Sequence, residues 1–158
     1  MAGQHTQTIH KPEMKEFIKD KIIGTWKLIS WTFNNEKNEP VNFFGDNPSG
    51  ILMYDQSGYM NAQLMKPGRA NFNSESLAEG TPEEIQQAYL SYAAYYGKFY
   101  EKSPGEIIHI VEGSLFPNWI GHEEIRYGKL EGEYLILSTP PIKAQGKEIV
   151  FNVKWKKS

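Results

Sequence analysis

The sequence predicts an all-β protein: an antiparallel, up-and-down barrel of about eight strands, with a short N-terminal helix and one inserted helix. Three observations lead there. Apolar and polar residues alternate with a period of two through much of the chain after Thr25. Turn signals are short and frequent, drawing on 14 Gly and 9 Pro. Aromatic residues, which favour strands, make up 13% of the chain. Strands joined by tight turns form a meander, and eight of them can close on themselves and remove their exposed edges. A two-sheet sandwich is the competing architecture.

A length of 158 residues suits one domain with a full core. Residues 1–12 are polar and aperiodic and are expected to be a disordered tail, leaving residues 13–158 as a single barrel domain. The absence of cysteine excludes a disulfide scaffold, a thiolate metal site and a cysteine nucleophile. With 17 Lys+Arg against 19 Asp+Glu, the chain lacks the basic excess of a nucleic-acid binder. No apolar run is long enough to span a membrane, and Met1–Lys15 lacks the apolar stretch of a signal peptide. A soluble, cytoplasmic protein is expected, either a monomer or a weak homodimer.

Met14, Phe17, Ile18 and Ile22 recur at near-helical spacing, which predicts a short helix over Glu13–Ile23 stopped by Gly24. From Thr25 the period changes to two. Trp26, Leu28 and Ser30 alternate with Lys27, Ile29 and Trp31 along a first strand, Gly24–Asn34. Asn34–Asn38 and Gly45–Gly50 supply turns. Ile51–Asp55 and Tyr59–Met65 form a hairpin around Asp55-Gln56-Ser57-Gly58. Its register puts Leu52, Tyr54, Met60, Ala62 and Leu64 on one face, and Ile51, Met53, Asn61 and Gln63 on the other. Lys66–Gly80 reads as a long loop. Thr81-Pro82-Glu83-Glu84 then opens a helix, with a capping box and proline at the first helical position. Ile85, Ala88, Tyr89, Tyr92, Ala93 and Tyr96 form one apolar stripe, so this helix is expected to run to Gly97. Strands follow at Lys98–Lys102, Glu106–Gly113, His122–Lys129 and Tyr134–Thr139, then a loop over Pro140–Lys147. In the last strand, Glu148–Lys156, the residues Ile149, Phe151, Val153 and Trp155 share a face.

Several segments in order carry a family resemblance over roughly Ile22 to Trp155. They are Gly24-Thr25-Trp26-Lys27-Leu28, Gly58 through Leu64, Thr81-Pro82-Glu83-Glu84, Tyr92 through Gly97, His109 through Trp119 with Gly121, and Leu135 through Pro141. With them the chain resembles the bacterial and fungal lipocalin-like domain family, within the wider calycin group. The resemblance implies a small up-and-down barrel, a Trp26 that plugs one end, and a basic residue of the last strand packed across its ring. Lys154 or Lys156 is the expected partner. No single activity is implied: some members sit in secondary metabolism, where such barrels look like isomerases or cyclases.

The candidate chemistry centres on His109 and Glu112. At i, i+3 in one strand they fall on opposite faces, so they pair directly only if a bulge near Gly113 intervenes. His109 shares its face with Ile107 and Val111. It reads either as a pocket base or hydrogen-bond donor, or as a core histidine satisfied by a backbone or tyrosine partner. Asn118 and Trp119 are either part of the barrel rim or part of a plug. Tyr54, Tyr92 and Tyr96, with further phenols, suit an apolar pocket dotted with polar groups, or else anchor the helix to the barrel. Asn61, Gln63 and Arg126 lie mid-strand among apolar residues. Inward, Arg126 would meet a ligand carboxylate or Glu112; a solvated Arg126 is the plainer reading.

These residues favour binding of a small, mainly hydrophobic molecule, aromatic or polyketide-like, inside the barrel. Tyr54, Met60, Asn61, Gln63, Tyr92, Tyr96, His109, Asn118, Trp119 and Arg126 are the candidate ligand contacts. The alternative is a cofactor-independent isomerase, cyclase or dehydratase using His109 and Glu112. No cofactor and no metal are expected. His122-Glu123-Glu124 projects alternately, and a haem on His109 has no second supporting feature.

Overall fold

The computed structural model describes residues 16–144 and 146–158. The expected tail at residues 1–12, and Glu13–Lys15 of the expected first helix, lie outside the described residues. The described part of that helix is a single turn, α1 (Lys19–Ile22). The backbone N–H groups of Ile18 and Lys19 donate to the Glu101 carboxylate at 3.0 and 2.8 Å, and Ile22 is fully buried. The turn is therefore held to the barrel at both ends.

The strands are β1 (Gly24–Asn34), β2 (Pro40–Asn42), β3 (Ser49–Tyr54) and β4 (Tyr59–Met65), followed by helix α2 (Pro82–Leu90). Then come β5 (Tyr92–Ser103), β6 (Glu106–Ser114), a 3-10 turn at Pro117–Trp119, β7 (Glu123–Glu131) and β8 (Tyr134–Ser138). Last are β9 (Ile142–Ala144), β10 (Lys147–Ile149) and β11 (Phe151–Lys157). Strands β1, β3 to β8 and β11 pair antiparallel in sequence, and β11 returns to pair with β1. The sheet is thus a closed barrel of eight strands and not a sandwich. β2 extends the far end of β1, and β9 and β10 form a separate hairpin that occupies part of the segment expected as loop and takes Glu148 and Ile149 from the expected last strand, which begins at Phe151.

The β3–β4 hairpin has the expected register: Leu52, Tyr54, Met60, Ala62 and Leu64 are all buried. Gly58 takes a positive φ of 93° at its turn, where an L side chain would be strained. Trp26 plugs the end of the barrel beside α1. It is 2% exposed, and its Nε1–H donates to the Ile22 carbonyl at 2.8 Å.

Three expectations are corrected. The basic residue over Trp26 is Lys157, whose Nζ lies 4.7 Å from the ring centroid, and not Lys154 or Lys156. Trp26 and Lys157 are register partners across the closing ladder, whereas Lys154 sits over the Tyr134 ring. In β1 the alternation does not run straight through. The register shifts between Leu28 and Ser30, so Ile29 is the extra residue and Trp31 joins the inner face opposite Val153.

The third correction is the largest. α2 ends at Leu90, and Tyr92–Ser103 is strand. The capping box does form: Thr81 Oγ1 accepts from the Glu84 N–H at 3.1 Å, and the Glu84 carboxylate accepts from the Thr81 N–H at 2.9 Å. Beyond Ser91, however, the apolar stripe gives way to a seven-residue ladder with β4, running from Met65–Tyr92 to Tyr59–Lys98. Strand pairing to β4 and, from Tyr95, to β6 satisfies backbone groups and buries Tyr95 and Phe99, which a helix continued on the exposed α2 would not do. Gly97 is therefore no helix stop. It faces a bulge in β6, where Glu112 is the extra residue between Gly97–Val111 and Tyr96–Gly113.

A methyl group at Gly97 would overlap the Ile110 carbonyl oxygen, a backbone atom that cannot yield alone. Gly97→Ala is expected to lower the unfolding free energy by about 2 kcal/mol or more in urea denaturation. A loss within about 0.5 kcal/mol would show that the bulge adapts freely.

Candidate functional site

Strand alternation decides which side chains enter the barrel. In β5 the inward set is Ala93, Tyr95, Gly97 and Phe99, with Tyr95 and Phe99 buried. In β6 it includes Ile107, His109 and Val111. In β7 it is Arg126, while Tyr127 points outward and is 48% exposed.

His109 is fully buried. The Tyr54 hydroxyl lies 2.7 Å from its Nε2, and the Tyr95 hydroxyl 2.7 Å from its Nδ1. Both ring nitrogens are thus engaged by phenols. Burial pushes the His109 pKa well below the ordinary histidine range, and the Arg126 charge pushes the same way. Burial also raises the Tyr54 pKa, with Tyr95 adding to it and Arg126 opposing. For Tyr95, burial raises the pKa, the Arg126 charge opposes it and the Glu124 charge adds to it. The imidazole is neutral and both phenols are protonated.

Arg126 is 8% exposed. One guanidinium nitrogen donates to the Ile125 carbonyl at 2.9 Å, and the Glu124 carboxylate is 3.7 Å away, too far for a hydrogen bond. The positive charge is only partly matched.

Beside this cluster lies a cavity of about 240 Å³. Its polar side is Tyr95, His109, Arg126 and Thr139. The remaining wall is apolar, with Leu52, Ala62, Leu64 and Leu137 in the body and Trp31, Phe151, Val153 and Trp155 across from the histidine strand. Phe43, Ala93, Trp119 and Ile142 stand at the mouth, at the opposite end from Trp26. Phe43 is 45% exposed, and it packs on Trp31 at 4.6 Å. Trp119 meets Tyr95 edge-on at 5.5 Å. The indole N–H groups of Trp31 and Trp155 are buried without a hydrogen-bond partner among the described residues.

Of the residues singled out from sequence, His109, Trp119 and Arg126 line this cavity. Tyr54 stands behind His109, and Met60 is core. The solvated reading of Arg126 is overturned, because the arginine lies on the inner face of β7 with Leu130 and is buried. Asn61, Gln63 and Tyr92 are not brought to the cavity. They form a chain on the outer face, where Gln63 donates to Asn61 at 3.1 Å and Tyr92 donates to Gln63. Tyr96 is 54% exposed, and Asn118 is exposed on the 3-10 turn. Glu112 is exposed despite the bulge beside it, and so is not near His109's ring. Tyr95, Trp31 and Trp155 belong to the cavity but were not singled out as ligand contacts. Alternation in Phe151, Val153 and Trp155 was a usable signal for the last of these. Tyr95 was hidden by reading its segment as helix.

Among the described residues there is no cluster of metal-ligating side chains, and no helix is long and apolar enough to cross a membrane. Residues 23–158 match the lipocalin-like domain family. The chain belongs to that family. A curated relative is the 4'-hydroxy-3'-methoxypropiophenone carrier protein ppsC of Aspergillus oryzae (strain ATCC 42149 / RIB 40). It is 37% identical over an alignment of 106 residues that covers 62% of this chain and 96% of that protein. This lipocalin-like domain therefore covers nearly the whole of its relative.

The neutral His109 makes stability depend on pH with a definite sign. An unfolded histidine takes up a proton below about pH 6.5. The folded one, with its pKa pushed down, refuses that proton. Stability from this group is thus present above about pH 6.5 and is lost as pH falls, at up to ~1.4 kcal/mol per pH unit. His109→Gln should remove this component. The stability difference between wild type and variant should shrink as pH falls from about 6.5 towards 5. A constant difference over that interval would mean that His109 is not held neutral.

Proposed function

We propose that this protein binds and carries a small, mainly apolar aromatic molecule inside its barrel. One observation supports this above the others. A hollow with an almost wholly apolar wall abuts a single converging polar cluster of Tyr95, His109 and Arg126. That is the composition of small-molecule sites, in which apolar walls give affinity and a few polar groups fix orientation. Its volume of about 240 Å³ suits a ligand of one ring with short substituents. The name of the Aspergillus oryzae relative, a carrier of a hydroxylated and methoxylated aryl ketone, is consistent with this size and polarity. In this reading Tyr95, Trp119, Arg126, Trp31, Phe151 and Trp155 contact the ligand. Tyr54 and His109 position Tyr95.

A second reading, a cofactor-independent isomerase, cyclase or dehydratase, draws on Tyr95 touching both His109 and the cavity. Proton traffic would then pass through the phenol, because neither ring nitrogen of His109 is free. A carrier needs no such traffic. The binding reading is therefore preferred.

Native mass spectrometry and tryptophan fluorescence with 4'-hydroxy-3'-methoxypropiophenone test the proposal. A one-to-one complex and quenching of the cavity indoles are expected. Ala93→Phe narrows the mouth and should weaken binding about tenfold or more, while the circular dichroism spectrum stays that of the wild type. Undiminished binding to Ala93→Phe would place the ligand elsewhere. Conversion of the bound compound to an isomer, lost in Tyr95→Phe, would favour the enzyme.

A further inference from the structure

The hydrogen bonds around His109 specify more than a pocket. A neutral imidazole has one N–H and one bare nitrogen. Tyr54 is 2% exposed and does not line the cavity, and among the described residues Nε2 of His109 is the partner of its hydroxyl. If Nε2 carried the proton, Tyr54 would accept it, and its own O–H would be buried with nowhere to donate. Such orphaned donors are avoided in folded proteins. The proton therefore sits on Nδ1, and Tyr54 donates to Nε2. Tyr95 then accepts from Nδ1–H, and its own O–H is left over. Tyr95 lines the cavity, so that leftover donor faces the hollow.

The other polar groups there are donors too. Arg126 has guanidinium N–H groups beyond the one used on Ile125. The indole N–H groups of Trp31 and Trp155, both cavity-lining residues, have no partner among the described residues. Thr139 Oγ1 already accepts from the Phe151 N–H at 3.0 Å. Among the described residues no carboxylate lines the cavity. The titratable and charged groups facing Arg126 are Tyr54 on β3, Tyr95 on β5, His109 on β6 and Glu124 on its own strand. Among the described residues facing it only Glu124 carries opposite charge, and it is 3.7 Å away, with 21% of its side chain exposed.

We propose that the cavity selects an aromatic weak acid and binds it as its anion, with a phenolate or carboxylate oxygen between the Tyr95 hydroxyl and the Arg126 guanidinium. This rests on the binding reading above and adds the charge state and direction of the ligand. Tyr54 and His109 act as positioning residues, since they fix which way the Tyr95 proton points. The oxygen completes the pairing that Glu124 leaves incomplete, and the aryl body lies against Leu52, Leu64 and the indoles.

The probes are 4-nitrophenol, whose phenolate is coloured, and 4-nitroanisole, its methyl ether, which cannot ionise. With protein in excess, the spectroscopic titration midpoint of 4-nitrophenol should move down by about one pH unit or more. At a pH where the free phenol is half ionised, it should bind about tenfold tighter than 4-nitroanisole. Arg126→Met should abolish both differences, and Arg126→Lys should keep part of them. Should Arg126→Met fail to fold, the wild-type midpoint and the Lys variant still decide. A midpoint moved upward, or equal affinity for the two probes, overturns the anion proposal and leaves the carrier reading standing. Failure of both probes to bind, as judged by native mass spectrometry, overturns the two together.

Discussion

The antiparallel ladder between β1 and β11 joins the two ends of the sheet, and the interior exists because of it. Trp26 pairs with Lys157, Leu28 with Trp155 and Trp31 with Val153. Without this ladder both strands would expose unpaired edges, and the indoles would face water. With it, Tyr95, His109 and Arg126 on β5, β6 and β7 look across a hollow at Trp31 and Trp155 on the two closing strands. The extra residue at Ile29 matters for the same reason. It re-phases β1 so that Trp26 and Leu28 fill the plugged end, while Trp31 turns inward at the open end. One bulge thus separates a packed half of the barrel from a hollow half.

That division is also a division of chemistry. The packed half is satisfied: the Trp26 N–H has the Ile22 carbonyl, and Lys157 covers the ring and donates to the Ile23 carbonyl at 2.6 Å. The hollow half keeps its polar groups engaged on one side only. His109 uses both nitrogens on phenols, so it serves as the fixed centre of a Tyr–His–Tyr chain and not as a free base. Burial and the adjacent Arg126 charge keep it neutral, and a neutral centre makes the direction of the chain well defined.

How much of this the sequence discloses depends on whether the local signal is periodic. The β3–β4 hairpin is legible because Gly58 marks the turn and period-two alternation then fixes both faces. The barrel and its plugged end are legible because Gly24-Thr25-Trp26 and the segments after it carry a family resemblance. β5 is not legible as strand from its start. Thr81-Pro82-Glu83-Glu84 announces a helix strongly, no glycine or proline stops it at Ser91, and Tyr92 to Tyr96 continues a helical spacing by accident. The contest is settled by the ladder to β4, a long-range contact that no local window contains. That misreading exchanged Tyr95 for Tyr92 and Tyr96 in the expected site. Arg126 was obscured differently. Ile125 and Tyr127 flank it, so local alternation sends these apolar neighbours inward; in the folded barrel the arginine goes in, on the face it shares with Leu130. Trp31 was displaced by a one-residue bulge, and a slip of one residue inverts every facing beyond it.

The places where local rules fail coincide in space. A buried arginine with a loose partner and two tryptophans whose indole N–H groups lack acceptors among the described residues all border one cavity. An unmatched buried donor costs about 1–3 kcal/mol, and an unfilled hollow adds to that. A barrel selected for stability alone would place a larger apolar residue at Ala62 or Ala93 and an apolar one at Arg126, removing both costs. The costs are not scattered as in imperfect packing, but concentrated where an occupant with an apolar body and acceptor oxygens would cancel them. Local conflict gathered at one site, inside a fold otherwise consistent from turn to core, marks the part of the molecule shaped for something other than its own stability.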